Sequence, residues 1–191
     1  NILLITSDTY SKFIKKNDLS TKLIFSDGST STIVSSQKKN NSYRILDFAN
    51  GTDGSGYKNF ILNNFGSKFW FRPKKNGEFI NMNGVEIFNF TLREIPKTVS
   101  IFLKKNNFNF NKIDHFVFHQ ANEFILKNLQ KKMQIDEKKI IIDMKNTGNT
   151  VSSSIPLVLK RNQKKIKKGE YVLLIGFGVG LSWGVSLIKS I

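Results

Sequence analysis

Phe116-Val117-Phe118-His119-Gln120-Ala121-Asn122 is an apolar run closed by a histidine and followed by a residue that caps helices. Asn122 ahead of Glu123 is a favourable helix start. The asparagine side chain accepts from a free backbone N–H, and the carboxylate sits at the positive end of the helix dipole. Leu126, Leu129 and Met133 then line one helical face. The spacing predicts a strand over residues 115–119 and a helix after it. That puts His119 at the carboxyl edge of a sheet, where the ligand crevices of open α/β sheets form. His115, four residues earlier, shares its face of the strand.

Thirty residues on, Asn146-Thr147-Gly148-Asn149-Thr150 reads as a glycine turn. A Gly-Asn pair alone is usually just turn chemistry. Here the turn opens a helix over residues 150–160 that begins Val151-Ser152-Ser153-Ser154. Small hydroxyl residues in a first turn predict close packing on another element, which makes this a central helix. His119 and Asn149 could together offer two neutral N–H donors to one oxygen, as stabilising an enolate requires.

Upstream, Met82-Asn83-Gly84 leads into Val85, Phe88, Leu92, Ile95, Val99 and Phe102, the stripe of a helix of about five turns. Pro96 should kink that helix or end its first half. Ile140-Ile141-Ile142 reads as a short buried strand. Residues 171–175 and 183–188 read as strands joined by Gly176-Phe177-Gly178-Val179-Gly180. From Gly84 the order is helix, strand, helix, strand, helix, strand, strand: an α/β layer with helices covering a sheet. Residues 1–7 read as a buried strand, 9–16 as a short helix, and 29–35 as a strand after the turn Ser26-Asp27-Gly28. Residues 40–75, rich in Asn, Gly, Ser and aromatics, read as loops and small strands.

With 39% hydrophobic residues, the 191-residue chain has enough apolar side chains for a substantial core. No apolar run approaches the roughly 20 residues of a membrane span. Residues 1–5 lack the basic flank and cleavage site of a signal peptide, so the cytoplasm is the expected compartment. The chain opens inside an apolar run without an initiator methionine, which suggests that something upstream is missing. The net charge of +16 comes largely from lysine pairs scattered along the sequence, such as Lys104-Lys105 and Lys131-Lys132. Without an arginine-rich helix or interleaved stacking residues, this footprint fits an acidic protein partner at least as well as nucleic acid.

No metal or cofactor is expected. There is no cysteine, no His-Glu-x-x-His and no Gly-x-Ser-x-Gly. Residues 176–184 fail as a dinucleotide fingerprint, because Leu181 stands where the third glycine belongs and the following segment alternates like a strand.

Four motifs carry a resemblance. They are His119-Gln120-Ala121-Asn122; Asn146 through Pro156; Gly176-Phe177-Gly178-Val179-Gly180-Leu181-Ser182-Trp183-Gly184; and Met82-Asn83-Gly84-Val85-Glu86-Ile87-Phe88. In order and spacing the chain resembles the C-terminal portion of beta-ketoacyl-ACP synthase III. The stretch from Ser20 to Gly28 resembles a later part of that family's N-terminal half.

The resemblance implies a thiolase-like layered α/β/α fold. Residues 1–36 would end the N-terminal half, 37–81 would form a connecting excursion, and 82–191 would make the whole C-terminal half. It implies a Cys-His-Asn site whose His and Asn are His119 and Asn149. The nucleophilic cysteine would lie upstream of residue 1, so this chain alone should be inactive.

The implied reaction is decarboxylative condensation of an acyl thioester, from acyl-CoA, with malonyl-ACP in fatty acid biosynthesis. The acyltransferase would be a homodimer, engaging neither nucleic acid nor membrane. Neutral His119 would donate from one ring nitrogen while the other accepts a backbone N–H. The turn at Gly178 and Val179 would supply a backbone oxyanion donor. Gln120, Ala121, Asn122, Glu123 and Phe124 would bind ACP or CoA, although Phe124 stands where some relatives carry a docking arginine. The alternatives are an acyltransferase without condensation, or a non-catalytic carrier-binding subunit on the same scaffold.

Overall fold

The computed structural model describes residues 1–39, 41–62 and 79–191. Its centre is a four-stranded sheet of β3 (Tyr43–Thr52), β8 (Ser182–Ser190), β7 (Tyr171–Gly178) and β6 (His115–Phe118), in that order. β6 runs parallel to β7, and the other pairs are antiparallel. Side chains alternate along β7. Leu173, Ile175 and Phe177 enter one core, whereas Val172 enters another. Apolar residues on both faces mean that both faces must be covered.

Two helices cover the first face. α2 (Gly84–Lys105) contributes Phe90, Ile95, Val99, Phe102 and Leu103, and α3 (Glu123–Lys132) contributes Ile125, Leu126 and Leu129. Each such side chain gains about 1.5–3 kcal/mol on leaving water. α4 (Ser154–Asn162) covers the second face, where Val158 meets Val117, Val172 and Ile188. Beyond α4 lies a hairpin of β1 (Ile2–Asp8) and β2 (Gly28–Val34), registered from Ile2 opposite Val34 to Asp8 opposite Gly28. α4 packs against both β6 and β2, so it is sandwiched between two sheets.

The hydroxyl run explains that central place. Ser153 is fully buried and its Oγ lies 2.9 Å from Thr6 Oγ1, while Ser152 N donates to Asp8 Oδ2 at 3.1 Å. A short helix α1 (Leu19–Lys22), a small hairpin of β4 (Phe60–Leu62) and β5 (Ile80–Met82), and short 3-10 turns such as Gly54–Asn59 and Phe110–Lys112 lie around this body.

Several expectations are corrected. Residues 1–7 form a strand but not a buried one: Leu3 and Ile5 are 59% and 62% exposed. β2 pairs with one edge of β1, and helical residues cover only its Thr6 end. The segment 9–16 holds a 3-10 turn, Tyr10–Phe13, and no longer helix. The excursion over 40–75 contains β3, ten residues long and an integral strand of the central sheet. A register shift between Ile45 and Asp47 breaks its alternation, which hid it in the sequence. Residues 40 and 63–75 of that expected excursion lie outside the described residues.

α2 runs unbroken through Pro96. Most of the expected stripe faces the core: Ile95, Val99 and Phe102 are buried and Phe88 and Leu92 pack against them, while Val85 is exposed and Phe90 joins the buried face. Residues 140–142 make only one bridge, Ile140 to Phe116. The next rung is supplied by a side chain: Gln120 Nε2 donates to Ile141 O at 3.3 Å, and Gln120 Oε1 accepts from Asp143 N at 2.9 Å. Among the described residues no helix is long and apolar enough to cross a membrane.

Candidate active site

His119 is the first residue beyond β6. Its backbone N donates to Ile175 O at 2.7 Å, which holds it at the sheet's carboxyl edge. Its ring stands edge-on to Phe177, with centroids 5.4 Å apart. Nδ1 lies 2.7 Å from the hydroxyl of Ser154, the first residue of α4. The expected partner was a backbone N–H. The hydroxyl takes that place because α4 begins directly behind the ring.

One edge of the imidazole reaches the cavity and protein encloses the rest. This desolvation lowers the pKa from 6.5 to about 4, and a backbone hydrogen bond with Val151 opposes it in part. The positive end of α4 also disfavours an imidazolium at this position. His119 is therefore neutral at physiological pH. Because the unfolded histidine binds a proton more readily, its contribution to stability is complete above pH 6.5. That contribution is lost as pH falls towards 4. The ring resonances of His119 should not titrate above pH 5. A midpoint near 6.5 would show that the ring is solvated.

Asn149 is held by the segment 24–26. Asn149 N donates to Ile24 O at 2.9 Å, and Ser26 N donates to Asn149 O at 2.9 Å. The carboxamide Oδ1 accepts from Val151 N at 2.9 Å, which leaves the amide N–H groups as the free end. Val151 adopts φ +54°, the left-handed region that β-branched residues avoid, and this posture aims its N–H back at Asn149.

Gly148 has φ +59°, and a Cβ there would meet Ile24 O at 2.8 Å. Gly148→Ala should therefore cost about 1–2 kcal/mol from backbone conformation alone. The clash would also push Asn149 off segment 24–26. An unchanged urea midpoint would contradict this account of the turn.

His119 and Asn149 both line one cavity of about 370 Å³. Gly178 and Val179, at the end of β7, line it too. The opposite wall is aromatic: Tyr10, Phe25 and Phe60, with Tyr10 and Phe25 centroids 5.2 Å apart. Sequence reading did not identify that wall, because its members come from three separate segments. Nor did it assign Ser154 a place in the site, since a serine run signals only packing.

His115 shares no part of the cavity. Its Nε2 lies 2.8 Å from Glu170 Oε2. Among the described residues no cluster of acidic, histidine or cysteine side chains could hold a metal ion.

The five residues expected to bind ACP or CoA divide. Gln120 is buried and its amide is spent on backbone groups, including Phe118 O at 2.8 Å. Ala121 is buried as well, and Asn122 Oδ1 caps α3 by accepting from Ile125 N at 2.8 Å. Gln120 and Ala121 thus build the strand-to-helix corner with their side chains turned inward. Glu123 and Phe124 remain on the surface. Phe124 is 67% exposed and stacks on Phe88, with centroids 5.3 Å apart.

Residues 103–190 match the family described as 3-oxoacyl-[acyl-carrier-protein] synthase III C terminal, and residues 1–54 match 3-oxoacyl-[acyl-carrier-protein] synthase III. Beta-ketoacyl-[acyl-carrier-protein] synthase III from Clostridium tetani is 35% identical over 98% of this chain and 59% of its own length. The protein of the same description from Clostridioides difficile is 34% identical over 99% of this chain and 58% of its own. A crystal structure of a 3-oxoacyl-(acyl-carrier-protein) synthase III superposes with TM-score 0.86 at 36% identity, over 98% of this chain and 59% of that one. This chain thus spans less than two thirds of the relatives it matches.

Proposed function

Because this chain belongs to the 3-oxoacyl-[acyl-carrier-protein] synthase III family, we propose that it carries the decarboxylating part of a condensing active site. The observation that carries the reading is that His119 and Asn149, thirty residues apart, line one cavity, with the Asn149 carboxamide anchored through its oxygen and its N–H groups unspent.

In the proposed reaction an acyl group from acyl-CoA rests on a cysteine outside this chain. Malonyl-ACP enters, its C–C bond to the carboxylate breaks, and CO2 leaves. The bonding electrons become an enolate whose oxygen accepts hydrogen bonds from the His119 imidazole and the Asn149 carboxamide. The enolate carbon attacks the acyl thioester carbonyl, and a backbone N–H at Gly178 or Val179 receives that carbonyl's negative charge. The thiolate then departs, leaving 3-oxoacyl-ACP. A neutral imidazole suits this task, since it donates a hydrogen bond to the enolate oxygen without handing over its proton. A preorganised donor of this kind typically contributes about 3–4 kcal/mol to a developing oxyanion.

Glu123 and Phe124 are the residues of the α3 start placed to touch a carrier, and the chain's positive charge suits an acidic one. We assign residues 1–36 to the end of a first thiolase-like half and 82–191 to the second. Residues 37–81 connect them and lend β3 to the second half's sheet. The family-length protein is proposed to be a cytoplasmic homodimer.

The test is to give a family-length protein containing this chain acyl-CoA and labelled malonyl-ACP. CO2 and 3-oxoacyl-ACP are expected in equal amounts. Acyl transfer to the carrier without CO2 would favour plain acyl transfer, and no acyl-enzyme at all would favour a non-catalytic carrier-binding subunit.

A further inference from the structure

We propose that Ser154 is a positioning residue that fixes the tautomer of His119, placing the ring proton on Nε2. The inference rests on the reading of His119 as a hydrogen-bond donor and extends it to a residue that no part of that reading uses.

Ser154 is buried, and its hydroxyl has two neighbours. His119 Nδ1 is at 2.7 Å, and Gln120 N is at 3.4 Å. The Gln120 amide can only donate, so it takes a lone pair of Oγ. A hydroxyl carries one donor and two acceptor positions. If Nδ1–H also donated to Oγ, the hydroxyl proton would be left in a buried place with no acceptor among these contacts. Such an orphan costs about 1–3 kcal/mol. If instead Ser154 O–H donates to Nδ1, every polar hydrogen in the group is used. Nδ1 is then the acceptor, and the neutral ring must carry its proton on Nε2.

The position of Ser154 follows from the fold. It opens α4, directly after the 3-10 turn Val151–Ser153, whose first residue anchors the Asn149 carboxamide. One short segment thus orients both proposed donors: Val151 N–H holds Asn149 Oδ1, and Ser154 O–H holds His119 Nδ1. Among the described residues Tyr10 is the other titratable side chain on the cavity wall, and its hydroxyl has a raised pKa because it is half-buried and lies near Asp8. Among the described residues of that wall no charged group competes to set the ring's proton.

The test is long-range 1H–15N correlation on the 191-residue chain labelled at histidine. The chain has two histidines, so His115→Gln assigns the signals. One tautomer is expected for His119 near pH 7, with Nδ1 unprotonated and Nε2 protonated. Ser154→Ala should abolish the single-tautomer signature, and Ser154→Thr, which restores a hydroxyl, should recover it. In a family-length protein Ser154→Ala should lower kcat for CO2 release about tenfold with KM little changed, the equivalent of one hydrogen bond.

A native chain with the proton on Nδ1 overturns the proposal whether or not any variant folds. A Ser154→Ala chain that keeps the Nε2–H signature overturns it as well. Neither readout involves substrate, so the condensation reading could fail while this one stands, or the reverse.

Discussion

His119→Ala or Asn149→Ala, made in a family-length protein that includes the nucleophile, is expected to slow condensation by about 10²–10³-fold while acylation of the cysteine proceeds near its normal rate. Removing one preorganised oxyanion donor typically has an effect of that size. The two half-reactions separate because the donors face different charges. Acyl transfer develops its negative oxygen at the thioester carbonyl, which the backbone at Gly178 and Val179 is proposed to meet. Decarboxylation develops it at the malonyl carbonyl, assigned to His119 and Asn149.

Both replacements remove side chains that line a cavity, and neither opens the core around Phe116 and Phe118. A fold defect is therefore not the expected cause of the loss. Rapid-quench measurement of labelled acyl-enzyme beside product formation distinguishes the steps. Equal loss in both would show that the pair serves the first step also, against the assignment.

Phe118→Ala is expected to destabilise the chain by about 3–5 kcal/mol, the usual range for a buried phenylalanine reduced to a methyl group. Phe118 is fully buried in the cluster that α2 and α3 make with the sheet. It also stands directly before His119, so the cavity left behind would loosen the backbone that aims the imidazole. Phe118→Leu, closer in volume, should cost under about 1.5 kcal/mol if repacking succeeds. Urea unfolding of both variants, read by far-ultraviolet circular dichroism, separates a packing loss from an unfolded chain. A Phe118→Ala variant as stable as the original would mean that the cluster is not packed as described.

The central fold was legible wherever one local rule agreed with the tertiary answer. The His119-to-Asn122 corner combined an apolar run, a cap and a helical stripe, and all three signals pointed to the observed β6 and α3. The Val-Ser-Ser-Ser run that leads into α4 announced a close approach, and Thr6 and Asp8 supply the other side of it. Asn149 was identified from its turn, but not the clamp by residues 24–26, because hydrogen bonds between segments so distant in sequence leave no periodic trace.

β1 shows the opposite failure. An apolar strand signals burial, yet burial depends on what lies across from it, and Leu3 and Ile5 face outward here. The structural part played by Gln120 was hidden for a related reason. Only the resemblance gave it a place, as a carrier contact, and no local pattern announced that its amide stands in for a peptide group that extends the pairing beyond β6. Ser154 was missed because a hydroxyl's partner is decided by helix direction, which composition does not reveal.

The central claim is that an imidazole and a carboxamide act on the same oxygen. A double-mutant cycle on CO2 release from malonyl-ACP tests it directly, using His119→Ala, Asn149→Ala and the pair together. Groups sharing one partner are expected to couple by about 0.5–3 kcal/mol, so the double variant should be less impaired than the product of the two single effects. If either single variant still releases CO2 within about twofold of the original rate, well short of the loss an oxyanion donor produces, the two side chains do not share that oxygen.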